Sequence, residues 1–231
     1  MDFTPMNAAS LIEEAYTRKR HHNEADSDYE TRKMKAFTLP DNTEVKVIET
    51  YDINEAEAFA LEGGILVIPG SDSIEDYTRY NLNYGVLALV DKLKRLFKPK
   101  GIVYHKGFLA HSKEIEAFAK LYKIKKVTGH SLGAASSQLL ASRLKLEAIN
   151  FAAPKVVRKG WPVRVKKNSI KNFNRKDDSV TRFPGWRWKH VGDVVVLDTE
   201  EAHIGPDHKI KHYITAMGMD HVQEKSDTMF T

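Results

Sequence analysis

The stretch from Lys125 to Ser136, Lys-Lys-Val-Thr-Gly-His-Ser-Leu-Gly-Ala-Ala-Ser, constrains the fold more than any other part of the chain. It joins a short strand, polar and then apolar, to a helix through Gly129-His130-Ser131-Leu132-Gly133, a Gly-x-Ser-x-Gly turn. Such a turn, a nucleophile elbow, is sharp and strained. Small residues at its two ends let neighbouring backbones approach while Ser131 is lifted above the sheet. Ala134, Ala135, Ser136 and Ser137 suit a helix packed closely on strands, and Leu139, Leu140, Ala141 and Leu144 give it an amphipathic pattern. At average composition the triplet arises by accident in about one chain in ten of this length, so the motif gains its meaning from context.

At 231 residues and 42% hydrophobic, the chain can bury a sizeable core, and one α/β domain over 1–231 is expected, with 1–43 a helical and polar N-terminal segment. The absence of Cys excludes disulfides, thiolate chemistry and zinc-thiolate sites. Met1 to Ser10 lacks a basic segment followed by a long apolar one, so no secretory signal is expected. The longest apolar runs, Val86 to Val90 and Ile65 to Ile68, fall far below the roughly 20 residues of a membrane-crossing helix. A cytoplasmic location is the expectation, with release by another route left open. The net charge of +5 suits an anionic partner. From Lys155 to Lys176 every charged residue is Lys or Arg, a run usually explained as a solvated face, with contact to an anionic membrane surface as the alternative. It is not regular enough for a nucleic-acid fold, and no nucleic-acid partner is expected.

In chain order, Met6 to Arg20 reads as an amphipathic helix with Ala9, Leu11, Ile12, Ala15 and Tyr16 on one face. His21 to Lys35 is almost wholly polar and reads as a surface loop. Glu44 to Glu49 alternates like a half-buried strand, and Ala56 to Leu61 with Ile65 to Ile68 reads as a hairpin about Glu62-Gly63-Gly64. Val86 to Phe97 gives a helix, Ile102 to Tyr104 starts a strand, and a helix through Ile115 and Phe118 leads to the elbow strand. Further strands are Leu146 to Phe151, Ser169 to Asn174 and Val191 to Leu197, before a terminal helix around Ile210, Tyr213, Ile214 and Met217. Strands alternating with helices imply a largely parallel sheet. Phe183 to Trp188 is an aromatic loop that either packs over the sheet edge or walls an apolar site.

An elbow serine needs a base and a carboxylate in the order Ser, acid, His. Position at the carboxyl end of a strand favours Asp177 or Asp178 without separating them. For the base, His208 stands in a loop entering the terminal helix and His212 one turn inside it. The oxyanion would be held by the N–H groups of Leu132 and of Ser71, the latter in Pro69-Gly70-Ser71-Asp72-Ser73 after an earlier strand; a plain helix cap before Ile74 is the bland account of that loop.

These residues resemble the fungal-type class 3 lipases of the α/β-hydrolase fold from about Glu44 to Met217. Pro69 to Tyr77 is similar to the family's oxyanion segment, and His105-Lys106-Gly107-Phe108 to its His-x-Gly-Phe. Gly129 to Gly133 resembles its Gly-His-Ser-Leu-Gly, and Asn150 to Val156 its Phe-Gly/Ala-x-Pro-Arg/Lys-Val. Asn174 to Pro184 is similar to Asn-x-x-Asp-x-Val-Pro-x-Leu-Pro, which aligns Asp178 with the catalytic acid. His190-Val191-Gly192 matches a further signature, and His208 with Tyr213 the final His…Tyr pattern. Pro69 in place of Arg, Ala134 in place of Gly and Thr181 in place of Pro are departures, none of which removes a catalytic group.

The resemblance implies an α/β-hydrolase with a mostly parallel sheet flanked by helices. It implies a serine carboxylic-ester hydrolase acting on lipid esters through an acyl-enzyme, with Ser131, Asp178 and His208 as triad, Ser71 and Leu132 as oxyanion hole, and no metal or organic cofactor. Ile74 and Tyr77, in the segment corresponding to the lid, and His130 beside the nucleophile are assigned to substrate contact. Asp72, Glu75, Asp76 and Arg79 make that segment polar for a surface-activated lid, which leaves room for an esterase on dispersed substrates. The rivals are a phospholipase, another acyl hydrolase, or a lipid-binding module of weak activity on the same fold.

Overall fold

The structure is a computed structural model and describes residues 2–19, 25–53, 56–70, 103–160, 163, 165–198 and 208–227. The chain opens with helix α1 (Pro5–Thr17), started by proline in its first turn and by Thr4, whose side chain accepts the Asn7 N–H. Ala8, Ala9, Leu11, Ile12 and Ala15 form its buried face. A second helix, α2 (Asp26–Lys33), occupies part of the segment expected as a loop. Its composition hid it, because only Tyr29 is buried; Asp26 and Asp28 in the first turn and Arg32 and Lys33 in the last complement the helix dipole. Tyr29 donates to Asp52 Oδ2 at 2.7 Å, and the Arg32 guanidinium reaches the carbonyls of Thr17 and Lys19 at the end of α1.

Two short strands, β1 (Phe37–Thr38) and β2 (Glu44–Val45), pair with each other before the main sheet begins. β3 (Val47–Ile53), β4 (Ala56–Leu61) and β5 (Ile65–Ile68) are antiparallel. The β4–β5 turn is the expected hairpin, with Gly63 at φ 78° and Gly64 at φ 74°. The remaining elements are α3 (Lys106–Leu121), β6 (Lys126–His130), α4 (Leu132–Leu144), β7 (Glu147–Phe151), β8 (Val157–Arg158), β9 (Ile170–Arg175), a 3-10 turn (Ser179–Arg182), β10 (Trp188–Lys189), β11 (Asp193–Leu197) and α5 (Ile210–Asp227).

A seven-stranded sheet in the order β11-β9-β7-β6-β5-β4-β3 results, parallel from β5 to β11. The elbow strand β6 is its middle member. Helices cover both faces, which is why β5 reads as an unbroken apolar run. Ile65 and Val67 join Leu11, Ile12, Phe59, Phe151 and Tyr213 on the face of α1 and α5. Leu66 and Ile68 join Phe108, Ile115, Val127 and Leu139 on the face of α3 and α4.

Two further readings change, and one that the sequence left open is decided. Val103 and Tyr104 do not begin a sheet strand: among the described residues Tyr104 makes a single bridge to Val157, beside the small β8–β10 pair, and Ile102 lies outside the described residues. The strand expected from Val191 starts at Asp193, because the Val191 N–H is taken by Gln138 Oε1 at 2.9 Å. Gly192, at φ 87°, presses so closely on Ile170 that a Cβ there would collide with its carbonyl. For the aromatic loop the packing alternative holds, with Trp188 and Phe183 against His105 at 5.5 and 6.1 Å between ring centroids, although Trp186 is exposed. The helix expected over Val86 to Phe97 lies outside the described residues.

A Cβ on Gly133 would collide with the carbonyl oxygens of Ile68 and Pro69, whereas one on Gly218 in α5 meets nothing within 4 Å. Gly133→Ala is therefore expected to lower stability by about 3 kcal/mol through backbone displacement. Gly218→Ala is expected to raise it by up to about 1 kcal/mol through helix propensity. Thermal denaturation of the two variants checks the contrast.

Candidate active site

Ser131 occupies the junction of β6 and α4 at φ 55° and ψ −120°, outside the regions an L-residue prefers. Holding a non-glycine residue there costs on the order of 1–3 kcal/mol. The neighbours make it bearable. Gly129 lies so close to the Gly133 carbonyl, and Gly133 to that of Ile68, that no side chain fits at either position. The Ser131 N–H donates to Phe151 O at 3.2 Å, and its side chain caps no amide of α4.

Its hydroxyl oxygen stands 2.7 Å from His208 Nε2, and His208 Nδ1 stands 2.8 Å from Asp178 Oδ2. The three come from separate elements: the elbow, the residue pair preceding α5, and the turn after β9. Asp178 begins the 3-10 turn, where its Oδ1 accepts the Val180 N–H at 2.9 Å. Tyr213 of α5 donates its hydroxyl to Oδ2 at 2.6 Å. Burial alone would push the Asp178 pKa up, but the hydrogen bond and charge of His208, with the Tyr213 and Val180 donors, outweigh it and hold the carboxyl below its usual value. Burial, followed by the Asp178 charge, raises the Tyr213 pKa, so its phenol stays a donor.

The neighbours Asp177 and Asp178 part company through Arg175. Its guanidinium grips Asp177 at 3.0 and 2.6 Å and also reaches the His212 carbonyl at 3.1 Å. Asp177 is thus spent in an ion pair, and His212 serves through its main chain. Of the residues assigned from the sequence, Ser131, Asp178 and His208 are brought together. Leu132 is the first residue of α4, where helix amides have no internal acceptor. Ser71, Ile74 and Tyr77 lie outside the described residues.

His130, expected against the substrate, lies instead beneath the site at 3% exposure, its ring 4.8 Å from that of His208. Burial drives its pKa down to about 3, with the nearby His208 adding to the effect, so it is neutral. Its Nδ1 pairs with the Tyr16 hydroxyl of α1 at 2.7 Å. That hydroxyl also accepts the Gly70 N–H at 2.8 Å, and Lys19 Nζ donates to Gly70 O at 2.6 Å. Sequence reasoning missed this link, since a tyrosine at helical spacing on an apolar face reads as core. The remaining family signatures are structural: His105 caps α3, and His190 Nε2 bonds Ala153 O at 2.8 Å.

Strand order around a seryl elbow and the solved structures it matches make the fold that of an α/β-hydrolase. Over residues 66–188, more than half its length, the sequence matches the family model described as lipase (class 3), and the chain belongs to that family. It is a carboxylic ester hydrolase of the lipid-ester class. Among solved structures it resembles the Rhizomucor miehei lipase propeptide complex, with a TM-score of 0.55 and 19% identity over 84% of this chain and 67% of that one. The lipase of Rhizopus microsporus var. chinensis matches with a TM-score of 0.54 and 19% identity, covering 92% and 82% of the two chains. Lipase II of Rhizopus niveus matches with a TM-score of 0.54 and 15% identity over 84% and 79%. At such identities the likeness is one of fold. No curated protein matches the chain by sequence.

Burial lowers the pKa of His105 and His111 to about 4, as it lowers that of His130 to about 3. Below the ordinary histidine value of about 6.5 the unfolded chain therefore binds protons that the folded chain refuses. The stability these groups contribute is present above about pH 6.5 and declines as pH falls toward 4, by up to about 1.4 kcal/mol per pH unit for each. Melting temperature measured from pH 7.5 to 4 should fall along that window, and His111→Asn should flatten the slope.

Proposed function

We propose that Ser131, His208 and Asp178 act as the catalytic triad of this ester hydrolase. The observation that carries the reading is the unbroken path from Ser131 Oγ through both nitrogens of His208 to Asp178, at 2.7 and 2.8 Å, with the serine on a strained turn at the head of a helix. Ser131 Oγ attacks the ester carbonyl while His208 Nε2 takes its proton. Asp178, ionised and gripped by Tyr213 and Val180, keeps the remaining proton of His208 on Nδ1 and stabilises the imidazolium. The oxyanion is held by the N–H of Leu132, at the positive end of α4, together with that of Ser71, each donor contributing ~3 kcal/mol. Collapse expels the alcohol with the proton from His208, and water, activated by the same imidazole, releases the acid. No metal or organic cofactor enters this scheme.

The substrate is an acyl ester of a lipid, taken up on dispersed molecules as well as at an interface because the segment after Ser71 is rich in charge. The basic run from Lys155 is a weaker candidate for holding an anionic membrane. Arg175 turns inward to Asp177, and Lys155 points to the Gly185 carbonyl. Exposed Lys166 and Lys167 precede β9, at the end of the parallel sheet opposite the elbow, so a surface held there would not meet Ser131.

Hydrolysis of p-nitrophenyl esters from acetate to palmitate tests the reading. Ser131→Ala and His208→Ala should each lower kcat by about 10⁴-fold or more, and Asp178→Asn by about 10⁴-fold, with the fold retained by circular dichroism. Undiminished turnover in Ser131→Ala would remove the triad. Anionic-vesicle binding by a folded protein inert on every ester would favour the lipid-binding module.

A further inference from the structure

We propose that Arg175 is a positioning residue for the base of this ester-hydrolysing site: paired with Asp177, it ties the turn that carries Asp178 to the first turn of α5, and so sets how His208 meets its carboxylate. The proposal rests on the triad reading above.

The acid and the base reach each other across 30 residues of chain, from separate elements. Asp178 follows β9 and His208 precedes α5. Their contact, 2.8 Å from Nδ1 to Oδ2, is therefore only as well defined as the docking of α5 on the turn after β9. Ile210, Tyr213, Ala216 and Met217 bury α5 in the core. Apolar burial is non-directional, so it holds the helix down without fixing its rotation or its slide. Direction has to come from hydrogen bonds.

Arg175 supplies several of them from one residue. It is the last residue of β9, in register with Leu197 of β11, so its main chain belongs to the sheet. Its guanidinium forks onto Asp177, Nε to Oδ1 at 3.0 Å and Nη2 to Oδ2 at 2.6 Å. That fork pins the residue next to the acid back on the strand it has just left. Nη1 of the same planar group donates to the His212 carbonyl at 3.1 Å, in the first turn of α5. The Arg175 N–H donates to the Tyr213 oxygen at 3.4 Å, and Tyr213 donates to Asp178 Oδ2 at 2.6 Å. Sheet, turn and helix are thus closed into one ring of bonds beside the His208–Asp178 contact.

The chemistry of the pair favours a geometric role. The Arg175 and Asp177 side chains are only 9% and 11% exposed. An ion pair so far from water repays little more than the cost of its desolvation, and apolar side chains of equal volume would serve stability as well. What they would not supply is a rigid fork that fixes two bonds to a carboxylate in one plane and aims another donor elsewhere. In the sequence Arg175 is one more cation of the basic run from Lys155; the fold turns it away from solvent.

The experiment follows the Nδ1–H proton of His208, whose bond to a carboxylate gives a far-downfield proton NMR signal, together with kcat and KM on p-nitrophenyl butyrate. The signal is recorded in the native chain and in its fluorophosphonate adduct, and is assigned by its loss in Asp178→Asn. Arg175→Met alone would strand the buried Asp177 charge and endanger the fold, so the decisive variant is Arg175→Met with Asp177→Asn, which removes both charges. Its kcat should fall about 10- to 100-fold with KM within about threefold, and the His208 signal should broaden or vanish. Arg175→Lys keeps the charge without the fork and should show the same losses to a smaller degree. Arg143→Met, which cuts an ion pair to Glu116 in the last turn of α4, should lower the melting temperature and leave both readouts unaltered. A double variant with native kcat and an intact signal overturns the proposal, even if its melting temperature falls. So does a fall in kcat with the signal intact, full activity in Arg175→Lys, or an equal loss in Arg143→Met. A native chain inert on the ester, with Ser131 unlabelled by a fluorophosphonate, overturns the triad reading and this proposal with it.

Discussion

Ser131 stands at a positive φ that its side chain disfavours, and the strain persists only because the surrounding backbone leaves it no alternative. Gly133 brings α4 against the carbonyls of Ile68 and Pro69, and Gly129 brings β6 against the first turn of α4. Those contacts tie β5, β6 and α4 into one unit. They also set Gly70, at the end of β5, beside the nucleophile. A larger residue at either glycine would relax the turn and move the hydroxyl from the line to His208.

The acid is placed by a different device. Asn150 donates to Asn172 Oδ1 at 3.0 Å, and Asn172 donates to the carbonyls of Val191 and Asp193 at 2.8 and 3.1 Å. Gln138 of α4 closes this buried strip by accepting the Val191 N–H and donating to Pro154 O. Polar groups in a low-dielectric interior must find partners, so the strip tolerates one register of β7, β9 and the entry to β11. A slip of one residue would strand these groups and turn Asp178 away from His208. Register in the sheet and geometry at the site are thus held by the same hydrogen bonds.

The two N-terminal helices lie far from the elbow in sequence and touch its support in space. Arg32 of α2 holds the end of α1, and the last turn of α1 holds Gly70 and His130. The site is consequently built from both faces of the sheet, with α4 on one side and α1 and α5 on the other. That symmetry leaves His208 half-exposed while Asp178 and His130 are sealed.

Local chemistry made much of this legible. The Gly-x-Ser-x-Gly turn, the apolar run of β5, the Gly63-Gly64 hairpin and the order Ser, acid, His are properties of short stretches, and backbone sterics and periodicity act over short stretches. Helix α2 escaped notice because it buries one residue and draws its stability from end charges and from its grip on α1. Asp177 and Asp178 were equivalent by position. The family resemblance pointed to Asp178, and the folded chain supplies the physical reason, because Arg175 pairs with Asp177 while Val180, Tyr213 and His208 surround Asp178. The burial of His130 and the reach of Tyr16 to Gly70 were tertiary decisions, as was the physical ground for His208 over His212, a choice that the resemblance had already favoured. Hydrogen bonds between residues 54 to 114 positions apart depend on how the sheet brings distant segments together, and no local pattern encodes that.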